Sequence, residues 1–184
     1  MDTTDLASLK RILERLYNEI VEMHSSREIW QYLNQELPKH CGGIVHETLV
    51  RWYVDSQAAA VRRIAGVRSQ DKQSFAKLMQ IVQKHLSYFT THNHSIIISD
   101  MVITDNLATL GRSTATVSRW ADEQVAHIGR KQSSNPTFNE LDEAIDTLGN
   151  LLQKYYQLID GGYLSDVKPI IPDDWRRPFR SAWL

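Results

Sequence analysis

The spacing of apolar residues predicts an all-α fold, and the expected architecture is an antiparallel helical bundle of about five or six helices. In four segments apolar residues recur every three or four positions, the period of a helix with one buried face. No segment alternates apolar and polar residues over the length of a strand. With 184 residues, 42% of them hydrophobic, the chain can bury one core. We therefore expect a bundle over residues 1–162 and an irregular tail over residues 163–184.

Charge and cysteine content exclude several classes of protein. The 21 basic and 22 acidic residues give a net charge of -1, which argues against a globally basic nucleic-acid binder but allows a local basic patch. The single cysteine, Cys41, cannot form an internal disulfide, and residues 1–5 lack the features of a signal peptide. Apolar runs such as residues 96–98 fall far short of the roughly 20 residues that span a bilayer. We expect a cytoplasmic protein with no membrane span.

Two helices are predicted before Gly42. The first begins near Thr4 and carries an apolar stripe that consists of Leu6, Leu9, Leu13, Leu16, Ile20 and Met23. Ser25 and Glu28 are spaced as in a capping box, which predicts that a second helix begins there. Pro38 and the glycines after it predict the end of that helix.

Residues 44–65 predict a long central helix that ends at Gly66. Arg51 and Asp55 are four positions apart on it and can form a surface ion pair. The next helix is predicted by a stripe that consists of Phe75, Leu78, Met79, Val82, Leu86 and Phe89.

A polar break over residues 91–95 contains His92 and His94. Two histidines alone do not make a metal site, and the chain has no second Cys/His or His/Glu element at ligand spacing. We therefore expect no metal and no cofactor. Residues 96–98 are β-branched and are expected to form an extended segment packed on the core.

Two further helices complete the predicted bundle. The fifth is expected to be capped by Thr104 or Asp105 and to run to Ile128. Thr137 and Glu140 form a second capping box, which predicts the start of the last helix. Its stripe consists of Leu141, Ile145, Leu148, Leu152, Tyr155 and Ile159, and Gly161 stands where a C-terminal cap belongs. The heptad-like spacing favours antiparallel packing.

The tail, residues 163–184, holds three of the five prolines together with Trp175, Phe179 and Trp183. Such a segment cannot form one helix, yet its aromatic content favours packing on the bundle or on a partner.

His127 is the candidate functional residue of the fifth helix. On a regular helix Trp120, Glu123 and Gln124 share its face, and so do the two basic residues at positions 130 and 131. That face combines an acid, a base and an aromatic ring. A histidine flanked by charges can equally be a solvated side chain or a satisfied hydrogen-bonding group, so the spacing alone leaves both interpretations open.

Three stretches of the chain carry a family resemblance. They are residues 122–127 (DEQVAH), residues 137–141 (TFNEL) and the end of the last helix at residues 155–158 (YYQL). Arg63 and Ile64, residues 71–78 and the Pro/Trp-rich end add to it. From about Ala58 to Trp183 the chain resembles the HEPN proteins of the bacterial abortive-infection AbiU type.

This resemblance implies an all-α bundle that forms a homodimer and, in active members, metal-independent cleavage of RNA at a site shared by two protomers. It also implies an anti-phage or toxin system, in which an antitoxin or a second defence protein is a further partner.

The family motif is an arginine, then a polar residue, then a histidine six positions after the arginine. His127 matches the histidine and Asp122 the polar residue, but Ala121 occupies the arginine position. The histidine would exchange a proton with the attacking or leaving oxygen, and the arginine would neutralise charge on the phosphate. Alanine cannot do this, so Arg119 is the candidate replacement, with Arg112 and Arg130 as weaker ones.

Three hypotheses follow from the sequence. The chain is a HEPN ribonuclease with His127, Asp122 and Arg119 at its site, or a degenerate HEPN bundle that acts as a dimeric interaction or RNA-binding module. The third is a helical bundle of unrelated function. For the dimer, Trp120 and the aromatic tail are the expected contacts, because large aromatic side chains are favoured interface anchors.

Overall fold

The computed structural model of the chain describes residues 1, 3–40, 43–67, 72–92, 97–125, 135–162, 164 and 167. Within these residues every regular element is helical and none is a strand, which confirms the all-α prediction. The helices are α1 (Thr3–His40), α2 (Ile44–Ala65), α3 (Phe75–Lys84), α4 (Leu86–His92), α5 (Asp100–Ser113), α6 (Ala115–Trp120) and α7 (Phe138–Asp160). A π-helical segment, Ala121–Val125, continues directly from α6.

Helix α1 is antiparallel to α7. Lys10, near the start of α1, forms an ion pair of 2.8 Å with Asp160, the last residue of α7. Further along α1, Arg27 lies 2.7 Å from Asp146, which is more than three turns nearer the start of α7. The residue numbers therefore rise along one helix while they fall along the other.

Helix α1 is also antiparallel to α2. Glu19 of α1 accepts from Arg63 in the last turn of α2, at 3.0 Å. Asn34 of α1 lies 3.0 Å from the ring nitrogen of His46 in the first turn of α2. The long first helix thus packs against both α2 and α7, and the three helices enclose much of the core.

The prediction of two helices before Gly42 was wrong, because α1 is continuous through Ser25 and Glu28. The Ser25 hydroxyl donates to the Val21 carbonyl at 2.8 Å, as serines do inside helices, instead of accepting from an amide as a cap would. The buried residues Met23 and Trp30 are seven positions apart, so the apolar stripe crosses the expected break in phase.

The end of α2 at Gly66 is confirmed. Gly66 adopts a left-handed backbone, with φ 65°, and donates its N–H to the Arg62 carbonyl. The Arg51–Asp55 ion pair is also present, at 3.6 Å. After the connection, Ser74 caps α3 by accepting from the amide of Lys77.

The helix predicted over residues 75–89 is divided at His85 into α3 and α4. The His85 backbone leaves helical geometry, with φ -111° and ψ 28°, while its ring lies 3.1 Å from Asp5 of α1. The apolar stripe continues across the break, because Val82 and Phe89 are both buried.

The predicted fifth helix begins earlier than expected and is not regular. Its cap is Ser99, whose side chain accepts from the Val102 amide, and not Thr104 or Asp105. The fully buried hydroxyl of Thr114 donates to the Leu110 carbonyl at 2.7 Å, an interaction that bends helices, and α5 gives way to α6 there. Beyond α6 the backbone widens into the π segment.

The last helix is confirmed as predicted. Thr137 and Glu140 make both hydrogen bonds of the capping box, and Gly161 ends α7 with a left-handed backbone, φ 75°. All six residues of the predicted stripe are buried: Leu141, Ile145, Leu148, Leu152, Tyr155 and Ile159.

The core of the bundle contains the apolar residues that the sequence places on the inner faces of the helices. Six members of the predicted apolar stripes, which we expect to be buried, are each at most 2% exposed: Leu13, Leu16, Leu78, Val82, Leu148 and Leu152. Of the segment over residues 96–98, Ile98 is buried whereas Ile97 is exposed. The described helices include none that is both long enough and apolar enough to cross a bilayer.

Candidate functional site

The predicted site region falls on the π segment, Ala121–Val125. Single π turns inside α-helices are rare and frequently occur at functional sites, because the wider turn redirects the side chains on it. The angular positions calculated for a regular helix around residues 121–127 therefore do not hold here. His127 itself lies outside the described residues, as do residues 130 and 131, so the shared face remains a prediction.

Asp122 pairs with a basic side chain from another helix. Its carboxylate Oδ1 contacts Nε of Arg62, which lies in the last turn of α2. The Arg62 side chain is 37% exposed and that of Asp122 is 28% exposed, so the pair stands at the surface of the bundle. Ala121 occupies the position at which the motif has an arginine, and the guanidinium of Arg62 lies beside the next residue, Asp122.

The side chain at the arginine position itself is enclosed. Ala121 is only 1% exposed, and the residues just before it, Trp120 and Ser118, are buried as well. An arginine at position 121 would have to enter this packed region, at a cost in overpacking.

Arg119 lies on α6, is exposed, and acts on a different carboxylate. Hydrogen bonds from the Thr137 backbone and hydroxyl lower the pKa of Glu140, and the positive charge of Arg119 lowers it further. Arg119 therefore stands near the start of α7. The contact that the structure shows for Asp122 is with Arg62.

Comparisons with protein-family models, with curated proteins and with solved structures find no match for this chain. The arguments about its function therefore rest on the residues and on their arrangement.

Trp120 has a structural role that the sequence did not predict. Its indole N–H donates to Oδ1 of Asp55 at 3.0 Å, and the same carboxylate is paired with Arg51. Because Trp120 is only 7% exposed within one chain, it has little surface left to anchor a second protomer. That Trp120 is a dimer contact stays a prediction.

A pocket of about 550 Å³ lies between α2, the π segment and the start of α7. Its charged lining residues are Arg51, Glu47 and Asp55, so acidic side chains outnumber basic ones. Gln124 also lines it, and its amide nitrogen is buried without a partner among the described residues. This lining does not favour a phosphate group, because two carboxylates would repel it.

The described residues contain no group of three or more His, Cys, Asp or Glu side chains that could hold a metal ion. His94 and the side chain of His92 lie outside the described part of the chain, so the pair is not tested.

Arg62 is the residue that the sequence analysis missed. It is 60 positions from Asp122, and it lies beside an equally basic neighbour, Arg63, so no spacing pattern links it to the motif. Only the packing of the end of α2 against α6 and the π segment brings Arg62 to Asp122.

Proposed function

We propose that the chain is a HEPN-like protein of a bacterial anti-phage or toxin system, and that it cleaves RNA without a metal ion. The observation that supports this proposal is the ion pair between Asp122, on the π segment, and Arg62, in the last turn of α2. Asp122 stands five residues before His127, the residue that matches the histidine of the motif. A carboxylate and a guanidinium are thereby in contact, and the sequence carries an imidazole five residues after the carboxylate.

In the proposed reaction the ribose 2′-hydroxyl attacks the neighbouring phosphorus, and the bond to the 5′ oxygen of the next nucleotide breaks. One proton leaves the attacking 2′-hydroxyl and one joins the leaving 5′ oxygen; His127 transfers one of these two protons, and water exchanges the other. The products are a 2′,3′-cyclic phosphate and a 5′-hydroxyl. A cation near the phosphate stabilises the charge that develops on its oxygens.

The experiment that tests this proposal is incubation of the purified chain with total RNA in the presence of EDTA. We expect the wild type to cleave and His127→Ala to be inactive. His85→Ala is the matched control, because His85 pairs with Asp5 of α1, far from the motif in the sequence, and it should cleave like the wild type. Cleavage that survives in His127→Ala would remove His127 from the mechanism.

The alternative function is a catalytically inactive bundle that acts as a dimeric interaction module, and an exposed face of α2 favours it. Ile44, Val45 and Trp52 are 82%, 49% and 65% exposed. Trp52 is eight positions after Ile44 and seven after Val45, so the three side chains share one side of the first half of α2. Exposed apolar side chains grouped in this way are typical of protein–protein contacts.

The two functions make different predictions for the purified chain. The interaction module forms a dimer and leaves RNA intact, whereas the ribonuclease cleaves RNA and loses that activity with His127. A second copy of the chain is the proposed occupant of the α2 face in both cases, because the resemblance implies a homodimer.

A further inference from the structure

We propose that Arg62 is the side chain that binds a phosphate of the RNA backbone, in place of the arginine that the motif lacks at position 121. This inference rests on the proposed function for the identity of the ligand. It concerns a residue that lies outside the sequence motif, on another helix.

The guanidinium of Arg62 contacts a carboxylate through one of its three nitrogens. Its Nε faces Asp122, and its two terminal nitrogens make no hydrogen bond to any of the described residues. A guanidinium carries five N–H groups in a fixed fork, so a carboxylate can hold one edge while another edge binds a phosphate. Asp122 would then orient Arg62, and its own contact with the ligand is not needed.

The adjacent arginine, Arg63, uses more of its guanidinium in an ion pair than Arg62 does. Arg63 donates from Nε to Oε2 of Glu19 at 3.0 Å, and one of its terminal nitrogens lies 3.0 Å from the same oxygen. The edge of the Arg63 guanidinium that consists of Nε and one terminal nitrogen is therefore engaged by a carboxylate of α1. The two neighbours have similar exposure, at 37% and 48%, but Arg63 has one terminal nitrogen on a carboxylate, whereas both terminal nitrogens of Arg62 are without a hydrogen bond to the described residues.

Ala121, at the position where the motif has an arginine, is buried. Because this position is enclosed, a guanidinium can reach the surface beside Asp122 only from a neighbouring element. The last turn of α2 is that element, and Gly66 fixes the end of the helix four residues after Arg62. Arg119, the candidate from the sequence, lies instead near Glu140.

The test measures the binding of a single-stranded RNA oligonucleotide in a His127→Ala background, where the RNA stays intact. We expect Arg62→Ala to weaken binding about tenfold, as for the loss of one hydrogen bond to a charged group. The matched control, Arg63→Ala, should bind like its parent. The slope of log K against log salt should fall by about 0.7 for Arg62→Ala, the value of one phosphate contact on a single strand.

A purely structural role for Arg62 would change the melting temperature but would leave the salt slope where it was, and that result would overturn the inference. If Arg62→Ala does not fold, Arg62→Lys and Arg63→Lys replace the alanine pair. Lysine keeps the charge but not the fork, so Arg62→Lys should bind more weakly than Arg63→Lys. Equal affinities of the two lysine variants would also overturn it.

The outcomes distinguish this inference from the proposed function. One outcome is that the wild type cleaves RNA without a metal while the RNA affinity does not depend on Arg62. This result would support the proposed ribonuclease function and reject Arg62 as the phosphate-binding residue. Binding that depends on Arg62 without any cleavage would support the site and reject the ribonuclease.

Discussion

Leu148 is fully buried at the centre of α7 and represents the part of the core that the sequence predicted. We expect Leu148→Ala to lower the free energy of unfolding by about 2–5 kcal/mol, because it leaves a cavity in the core. Ile97→Ala is the control, since Ile97 is 89% exposed and its truncation should change stability by less than about 0.5 kcal/mol. Denaturant unfolding measures both, and a small effect at Leu148 would mean that α7 is not packed as described.

Ala121→Arg restores the arginine of the HEPN motif in the sequence, but it places that side chain in a packed region and not at the surface. Because Ala121 is enclosed, we expect the variant to lose about 1–3 kcal/mol of stability by overpacking and to gain no ribonuclease activity. Arg119→Ala, two positions earlier and exposed, should leave the melting temperature nearly unchanged. A stable Ala121→Arg protein with increased RNA cleavage would contradict the account of this position.

Individual buried residues were predictable because burial follows the three-four spacing, which the sequence displays directly. Leu13, Val82 and Leu152 are examples. The roles of Trp120 and Arg62 were not predictable, because each depends on a partner about 60 positions away, Asp55 and Asp122 respectively. Polar partners at such separations carry no periodic signal.

Among the helix ends, the junction between α2 and α3 has a test that separates backbone strain from steric overlap. Gly66 and Gly161 both adopt the left-handed backbone, with φ 65° and 75°, but a Cβ at Gly66 would overlap the side chain of Ser74, the cap of α3, whereas no atom of the described residues lies within 4 Å of a Cβ at Gly161. We expect Gly161→Ala to cost about 1–2 kcal/mol for the left-handed backbone alone, and Gly66→Ala to cost more. Equal losses in thermal or denaturant unfolding would show that Ser74 moves aside freely.

The start of α7 should carry a pH-dependent part of the stability. The hydrogen bonds from Thr137 lower the pKa of Glu140 in the folded chain, so its contribution is present above the ordinary glutamate pKa of about 4.3. That contribution is lost as the pH falls through the lowered, folded-state pKa. Glu140→Gln should therefore be less stable than the wild type at neutral pH, and the difference in melting temperature should shrink in acid.

The chain also offers a control for the glutamine variant. Glu143→Gln, one turn further along α7, removes a charge at an exposed position outside the capping box. A difference that persists unchanged in acid for Glu140→Gln, or that appears equally in Glu143→Gln, would contradict the capping explanation.

Helix starts and ends were predictable where a strong local signal stood alone, as at Gly66, at Gly161 and in the capping box of α7. They were not predictable where the same local signal can serve inside a helix. The serine of an apparent capping box, Ser25, bonds back to Val21 in a continuous helix. The break at His85 goes with a contact to Asp5 of α1, and the break at Thr114 goes with a buried hydroxyl that donates to the Leu110 carbonyl. The spacing of apolar residues predicts neither break.

For the assembly of chains, we expect a homodimer that uses the exposed face of α2. Trp52→Arg should shift the protein from dimer to monomer in analytical ultracentrifugation, because it places a charge at the centre of the proposed contact. Met101→Arg is the control, since Met101 is also exposed, on α5. A wild type that sediments as a monomer at high micromolar concentration would contradict the dimer and would weaken the proposal of a shared site.

We propose that this bundle cleaves RNA by attack of the 2′-hydroxyl, with His127 as the proton-transfer group and without a metal ion. The most direct measurement is the identification of the end groups formed from a defined RNA oligonucleotide in EDTA. We expect 2′,3′-cyclic phosphate and 5′-hydroxyl ends from the wild type, and intact RNA from His127→Ala. Products with 3′-hydroxyl ends, or RNA that stays intact with the wild type, would contradict it.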